Sequence, residues 1–546
     1  MDHNANYYHW LTNANAEIVE ELRSYSEKDI EDSFYKNLSF GTGGLRGTIG
    51  AGTNRMNVHT VGKASQGLSD YLNKTYETPS VVVGYDSRIK SDVFAKVAAD
   101  IFAANGIQVH LWPELLPVPT VSFAIRYLKA SAGVMITASH NPSKYNGYKV
   151  YGAGGCQITT EAAAEILAEI EKLDIFADVK MGGDASRIAS IQPEVLTAFI
   201  EEVKGQSVLF GEEVDKNVAI VYSPLNGTGL VPVTRTLAEM GYSNVTVVEE
   251  QRLPDGNFPT CPYPNPEINE AMSLGMEYAK KYNADLLLAT DPDCDRVGIA
   301  VKNAEGDYVL LSGNETGLLL LDYICSQRIK HGKMPTDPVM VKTIVTMDLG
   351  ANYGVRTVDV LTGFKFIGEQ IGMLEKAGKV DSYIFGFEES YGYLSGSYVR
   401  DKDGVNAAYL ICEMFSYYKT QGISLFDKLN EIYAKYGYCL NTLHSFEFEG
   451  AAGFTKMQKI MVEFHKGLDM IGGKKVIETL DYSTGLNGLP KSDVLKYLLE
   501  GNCSVVVRPS GTEPKLKTYI SVSAESKEAA EVMEAVMAAE LAEMFK

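Results

Sequence analysis

Five short segments of this chain place oxygen-bearing or cationic side chains just where an apolar run gives out. In ITASHNPSKYNGYKVY (136–151) the run AGVMI leads into Ser139, followed at once by His140, Asn141 and Pro142. A serine hydroxyl at the tip of a buried strand can act as a nucleophile if a neighbour takes its proton or a metal activates it, although an isolated SHNP equally makes a turn. In ATDPDCDRVG (289–298) Asp291, Asp293 and Asp295 alternate, so an extended backbone projects their carboxylates to one side. Three hard oxygen donors that would otherwise repel one another suit Mg²⁺, and the apolar LLLA and VGIAV flanks argue against a merely exposed acidic loop. GFEESYGY (386–393) with VRDKDG (399–404) offers Glu388, Glu389 and Ser390 as acceptors for sugar hydroxyls, and Arg400 and Lys402 for a phosphate; a surface turn fits it as well. Two further segments read as phosphate nests: FGTGGLRG (40–47), with Arg46 among its glycines, and VVVRPSGTEPKLK (505–517), with Arg508, Ser510, Gly511 and Thr512. Together these predict a strand-end nucleophile, a metal loop, a hydroxyl-binding loop and two phosphate sites. A hydrolase has no evident use for the second nest.

The elements that would hold these loops follow from periodicity. Apolar, β-branched runs at 79–88, 106–112, 132–142, 217–229, 284–295, 338–348 and 382–390 alternate with helical stretches, as in α/β units whose largely parallel sheets are buried on both faces. Ligands of such sheets bind at the carboxyl ends of strands, where the loops lie. The first forty residues read as helical. After about residue 440 the pattern changes to TLHSFEFEG, a helical stretch, SVVVRPSGTEPKLKTYISV and a last helix, a smaller α+β domain. The chain therefore divides into 1–210, 211–325, 326–435 and 436–546: three similar α/β domains with mixed, largely parallel sheets and a C-terminal α+β domain.

Composition narrows the partners. Fifty basic against seventy acidic residues give a net charge of −20, which argues against nucleic acid and leaves room for a small anionic ligand held by local cations. No apolar run approaches the ~20 residues of a membrane span, and the polar, acidic start lacks the features of a signal peptide, so a cytoplasmic location is expected. Seven scattered cysteines without a CxxC spacing give neither a disulfide framework nor a structural zinc site. A monomer or small homo-oligomer is expected.

TASHNP, DPDCDRVG, GFEES and RPSGTEP, in this order, resemble the four signature loops of the α-D-phosphohexomutase family, and the resemblance covers nearly the whole chain. The longer GFEESYGY…VRDKDG is most similar to the phosphoglucomutase branch with its phosphopentomutase-like relatives, and departs from the GEMSG-type loop of phosphomannomutases. The resemblance implies four domains around a central cleft, with Ser139 as phosphoserine and Asp291, Asp293 and Asp295 as Mg²⁺ ligands beside it. It implies that Arg46, Arg296, His140 and Lys149 serve the moving phosphoryl group and the hydroxyl proton; His140 and Lys149 both qualify as the base, the family pattern leaning to Lys149. Glu388 and Ser390 would meet sugar hydroxyls, Arg508, Ser510, Gly511 and Thr512 the distal phosphate, and Thr362 and Gly363 in LTGFKFIG a specificity loop. The implied reaction interconverts glucose 1-phosphate and glucose 6-phosphate, with glucose 1,6-bisphosphate as intermediate and activator. Pentose or mannose phosphates are the alternative substrates. An aspartyl-phosphate phosphatase with Asp291 as nucleophile and a non-catalytic sugar-phosphate binder are the competing classes.

Overall fold

The computed structural model describes residues 3–41, 43–448, 450–486, 488–509 and 515–546, leaving aside the side chains of 450–452. Its strands form four sheets. The first contains β1 (Gly44–Thr48), β2 (Ser80–Tyr85), β3 (Gln108–Leu111), β4 (Ala132–Ile136), β5 (Tyr145–Gly152) and β6 (Ile188–Ser190) in the order β1-β5-β4-β2-β3-β6. Neighbours from β4 to β6 are parallel, whereas β5 folds back antiparallel on β4 and carries β1 on its outer edge. Every residue of β4 is buried, because helices Ser91–Ala104 and Val118–Tyr127 pack against it; this is why AGVMI reads as a continuous apolar run.

The second sheet repeats the plan with β7 (Ile220–Ser223), β8 (Val245–Val247), β9 (Leu286–Thr290), β10 (Val297–Lys302) and β11 (Tyr308–Leu311), ordered β11-β10-β9-β7-β8. Here β7 pairs in parallel with β8 and β9, while β10 returns antiparallel to β9, so the acidic loop is a hairpin connection. The third sheet comprises β12 (Val339–Thr343), β13 (Arg356–Val360), β14 (Tyr383–Glu388) and β15 (Gly392–Leu394), ordered β13-β12-β14-β15. Three α/β domains with mixed sheets are thus present, as expected. The antiparallel members β1, β11 and β15 are short and β5 is only partly apolar, while β10 is apolar but follows β9 without a helix between them, so alternation with helices does not announce them.

The fourth sheet contains β16 (Tyr438–Glu447), β17 (Met470–Ile471), β18 (Lys474–Asp481), β19 (Leu495–Leu499), β20 (Cys503–Pro509) and β21 (Lys515–Ala524), ordered β16-β21-β20-β19-β18-β17 and antiparallel throughout. Helices Gly450–His465 and Lys527–Met544 cover it through Met457, Ile460, Met461, Phe464, Met537 and Leu541. Periodicity predicts only a helical stretch before SVVVRPSG, whereas three strands follow the first helix. The cause is local: β18 is largely exposed and polar, and β19 alternates over too few residues to register.

By contacts the chain divides into two compact units. The first holds 1–341, 350–358 and 363–422, and the second 342–349, 359–362 and 423–546. In the second, Lys496 on β19 donates to the Ile344 carbonyl at 2.7 Å, and Lys342 pairs with Asp359 at 2.6 Å, which binds the short segments into that unit. Among the described residues no helix is long and apolar enough to cross a membrane.

The second unit also carries a pH-sensitive triad of side chains. His465 sits between Asp481 (3.0 Å) and Asp493 (2.9 Å). Burial pushes its pKa down, but both carboxylates outweigh burial and hold it above the ordinary value. With the folded pKa raised, this contribution is full below about pH 6.5 and fades as pH rises through the folded pKa. His465→Gln should therefore lower the melting temperature by about 2 °C at pH 6 and by much less at pH 9. Equal losses at both values would contradict the assignment.

Candidate active site

The Ser139 loop begins where β4 ends. Ser139 takes a left-handed conformation, φ 52°, and its N–H is donated to Thr137 Oγ1 at 2.8 Å. This kink turns Oγ toward the acidic loop, where it donates to Asp291 Oδ2 at 2.8 Å, with His140 Nδ1 at 3.1 Å on its other side. Ser139 is nearly inaccessible, 3% exposed.

The acidic loop joins β9 to β10, and all three carboxylates are buried. One oxygen from each lies within 4.8 Å of the others. Asp291 Oδ1 accepts the N–H groups of Asp295 (3.1 Å) and Arg296 (3.0 Å). Asp293 Oδ2 accepts from Lys149 Nζ (2.9 Å) and Thr137 Oγ1 (3.1 Å), and Asp295 Oδ2 meets Lys402 Nζ (3.0 Å) and Lys149 Nζ (3.4 Å). Among the described residues, Asp293 Oδ1 and Asp295 Oδ1 are buried without a hydrogen-bond partner. Buried carboxylate oxygens left so are costly, and a hard divalent cation is the partner that suits several at once. The cluster can hold a metal ion.

Charge follows the geometry. Burial, and then Asp293 and Asp295, push Asp291 well above the usual carboxylate range. Burial alone would lower Lys149, yet Asp293 and Asp295 overcome it and keep the ammonium charged; Asp295, Asp401 and Glu388 do the same for Lys402. His140 is pushed well down by burial and by Arg296 and Arg46, which keeps the imidazole neutral. Burial pushes Glu388, the last residue of β14, up to about 7 against the pull of Lys402, whose Nζ is 3.9 Å away.

The loop's backbone is fastened from all three α/β domains. Thr228 donates both its N–H and its Oγ1 to the Pro292 carbonyl at 2.9 Å, Val118 N–H reaches the Asp293 carbonyl at 3.0 Å, and Gly404 N–H reaches the Cys294 carbonyl at 3.1 Å. The glycine before Thr228 lies so close that a Cβ at Gly227 would stand 2.4 Å from Pro292 Cα. The acidic loop is thus fastened to its surroundings through three of its own carbonyls.

All four family models match in order: phosphoglucomutase/phosphomannomutase alpha/beta/alpha domain I at 37–175, domain II at 197–306, domain III at 312–436 and the C-terminal domain at 457–539. The chain is 36% identical over 536 residues to the phosphoglucomutase of Staphylococcus epidermidis, covering 94% of this chain and 96% of that protein. The chain belongs to the phosphoglucomutase/phosphomannomutase family. The phosphoglucomutase of Staphylococcus aureus is likewise 36% identical over 531 residues, 94% of this chain and 95% of that one. In fold the chain is similar to parafusin, a Paramecium phosphoglucomutase in its open form (TM-score 0.70, 17% identity, 94% and 95% coverage). It is also similar to a family protein of Burkholderia thailandensis (TM-score 0.69, 18% identity, 92% and 97% coverage).

Of the family positions expected from the sequence, Ser139, His140, Lys149, Arg296, Glu388, Lys402 and the three aspartates fall in one cluster. Arg296 lies about the triad, Nε 4.0 Å from Asp291 and 3.9 Å from Asp295, while its Nη1 donates to Glu267. Arg46 reaches the loop from β1, with Nη1 3.3 Å from Asn141 Oδ1. One glycine beside it has a packing role. Gly44 pairs with Lys149 across the strands at φ 133°, where a Cβ would stand 1.7 Å from the Tyr148 carbonyl oxygen, so its lack of a side chain permits strand contact. Ser390 is half-buried in the turn after β14.

Arg400 is placed differently from a phosphate ligand. It is 1% exposed, pairs with Glu375 at 3.0 Å and donates to the Ser397 and Val399 carbonyls, so it holds its own loop. In the second unit Arg508 donates to Thr362 Oγ1, bringing two expected ligand residues together. Gly363 precedes helix Phe364–Lys376 at φ 112°. Ser510, Gly511 and Thr512 lie outside the described residues. Sequence reasoning missed Thr137, Glu267, Thr228 and Arg88. For Arg88 a signal was present: Asp86 and Arg88 follow a buried strand directly, the pattern that singled out the other loops.

Proposed function

We propose that this chain interconverts α-D-glucose 1-phosphate and glucose 6-phosphate through a phosphorylated Ser139 and a glucose 1,6-bisphosphate intermediate. The reading is carried by Ser139 Oγ lying 2.8 Å from Asp291 Oδ2, beside two buried carboxylate oxygens that lack hydrogen-bond partners among the described residues. Asp291, Asp293 and Asp295, with an oxygen on Ser139, would hold Mg²⁺. When bound, the ion supplies neutralisation of the carboxylates and the phosphoryl oxygens, which phosphoryl transfer needs more than covalent assistance.

In the first half-reaction the bond from Ser139 Oγ to phosphorus breaks, and a bond forms from phosphorus to the free hydroxyl oxygen of the sugar monophosphate. The hydroxyl loses its proton and Ser139 Oγ regains one. Of the two groups expected for these exchanges, neutral His140, 3.1 Å from Oγ, can accept a proton, whereas Lys149, held charged by Asp293 and Asp295, can only donate one, so the lean to Lys149 as the base does not fit this site. Arg296 and Arg46 oppose the charge on the equatorial oxygens. After the bisphosphate turns over, its other phosphate passes to Ser139 and the isomer is released. Glu388 accepts hydrogen bonds from sugar hydroxyls, with Ser390 beside it. Arg508, Thr362 and the 510–512 segment bind the phosphate that is not reacting, with Gly363 at the edge of the specificity loop. Lys402 joins the phosphate contacts from the 399–404 loop. The four stretches 1–210, 211–325, 326–435 and 436–546 each supply one loop. A cytoplasmic enzyme acting on free sugar phosphates accords with this chemistry.

The test is a panel of glucose, ribose and mannose 1-phosphates, scoring isomerised product and inorganic phosphate together. Glucose 1-phosphate should isomerise at least about tenfold faster than the others, only with catalytic bisphosphate present, and without stoichiometric phosphate release. Equal rates for all three sugars would remove glucose as the choice; stoichiometric inorganic phosphate would replace the mutase by a phosphatase.

A further inference from the structure

Arg88 lies beneath the Ser139 loop, 2% exposed, and none of the expected roles uses it. Its Nη1 donates to the carbonyls of Pro142 (3.0 Å) and Tyr145 (3.1 Å), and its Nη2 donates to the carbonyls of Ser139 and Asn141. On the other side Nε faces Asp86 Oδ2 at 3.4 Å, and Phe258, from the second α/β domain, places its ring 5.1 Å from the guanidinium carbon. Asp86 is fixed in turn by the Arg88 N–H (2.9 Å) and Ser91 Oγ (2.7 Å).

Four carbonyls from one seven-residue turn therefore converge on one planar fork. A guanidinium has five donors in fixed directions and can meet such a set, whereas an ammonium is a point charge with three. The turn has a reason to need this. Ser139 sits at φ 52°, a conformation unfavourable for a residue with a Cβ that persists only where surroundings over-determine it. Without the kink Oγ would not meet Asp291.

We propose that Arg88 is a positioning residue for the phosphoryl carrier: its fork locks the 139–145 backbone in the conformation that aims Ser139 Oγ at the aspartate cluster. This rests on the mutase reading for its catalytic consequence, but the locking itself is measurable without turnover. Arg88→Lys keeps the charge opposite Asp86 and loses the fork. Turnover by this variant should fall about 100-fold, the scale of an ångström's misplacement, with KM within threefold of the parent and melting within a few degrees. Hydrogen exchange in the peptide 137–145 should quicken at least tenfold while 291–297 stays unchanged. If Arg88→Lys does not fold, Phe258→Leu keeps the fork and removes its ring; kcat should fall several-fold at constant KM, with faster exchange in 137–145 alone. Unchanged exchange at 137–145 in the folded variant overturns the proposal. So does a kcat within threefold of the parent, or a loss of kcat matched by rising KM and general loosening. Absence of mutase activity in the parent chain would defeat the functional reading alone, and the exchange result would still decide whether Arg88 locks the loop.

Discussion

Ser139→Ala should lower mutase turnover by about four orders of magnitude or more, the scale seen when a covalent nucleophile is removed. The loss would be chemical. Ser139 accounts for one side-chain hydrogen bond to Asp291 and one contact with His140, and its backbone bond to Thr137 survives the change. Alanine accepts the φ of 52° no worse than serine, so stability should change by only about 1 kcal/mol. Intact-mass and peptide analysis of the parent protein should find phosphate on Ser139 in part of the population, and the variant should carry none after incubation with glucose 1,6-bisphosphate. Near-normal turnover by Ser139→Ala would sink the phosphoserine mechanism. Phosphate trapped on Asp291 instead would favour the phosphatase chemistry, which the geometry disfavours because Asp291 already accepts from Ser139, Asp295 and Arg296.

What the sequence disclosed and what it hid differ in physical kind. Buried parallel strands announce themselves because both faces need apolar residues, so AGVMI and LLLAT were legible and the loops at their ends could be located. The antiparallel returns β5 and β10 carry Lys149 and lead out from Arg296; β5 mixes polar with apolar residues, and β10, though apolar, follows β9 with no helix between, so neither fits the alternation of strand and helix. The chemistry-bearing side chains were legible because a carboxylate or serine at a strand end is improbable without a purpose. Their supports were not. Thr228 and Val118 act through hydrogen bonds to backbone carbonyls of the acidic loop, and Arg88 meets the carbonyls of Ser139, Asn141, Pro142 and Tyr145. A carbonyl is the same at every position, so its partner leaves no mark in spacing. Arg400 shows the converse: a cation in a plausible motif whose partner, Glu375, is 25 residues away in sequence and next to it in space.

Removing divalent ions with excess EDTA should abolish turnover, and added Mg²⁺ should restore it. The two aspartate variants should separate the ion's role from the fold's. In Asp291→Asn, the amide oxygen can still accept the Asp295 and Arg296 N–H groups, while a carboxyl penalised by burial and by its two acidic neighbours gives way to a neutral amide. The metal-free melting temperature should therefore hold or rise. The cation loses a charged ligand, so turnover should fall at least about 100-fold, and the Mg²⁺-dependent rise in melting temperature, about 2.7 kcal/mol of stabilisation for the parent at a hundred times Kd, should largely vanish. Asp293→Asn behaves otherwise, because Asp293 Oδ2 is the nearest carboxylate to Lys149, at 2.9 Å against 3.4 Å for Asp295. Stripping a buried ammonium of its closer partner costs stability, so this variant should melt lower than the parent even without metal, besides losing activation. Full turnover in excess EDTA would overturn the metal assignment, as would an Asp291→Asn protein whose melting responds to Mg²⁺ as the parent's does. If both variants melted alike without metal, the division of labour between the Ser139-facing and Lys149-facing aspartates would be wrong, because only the second carries a buried cation that depends on it.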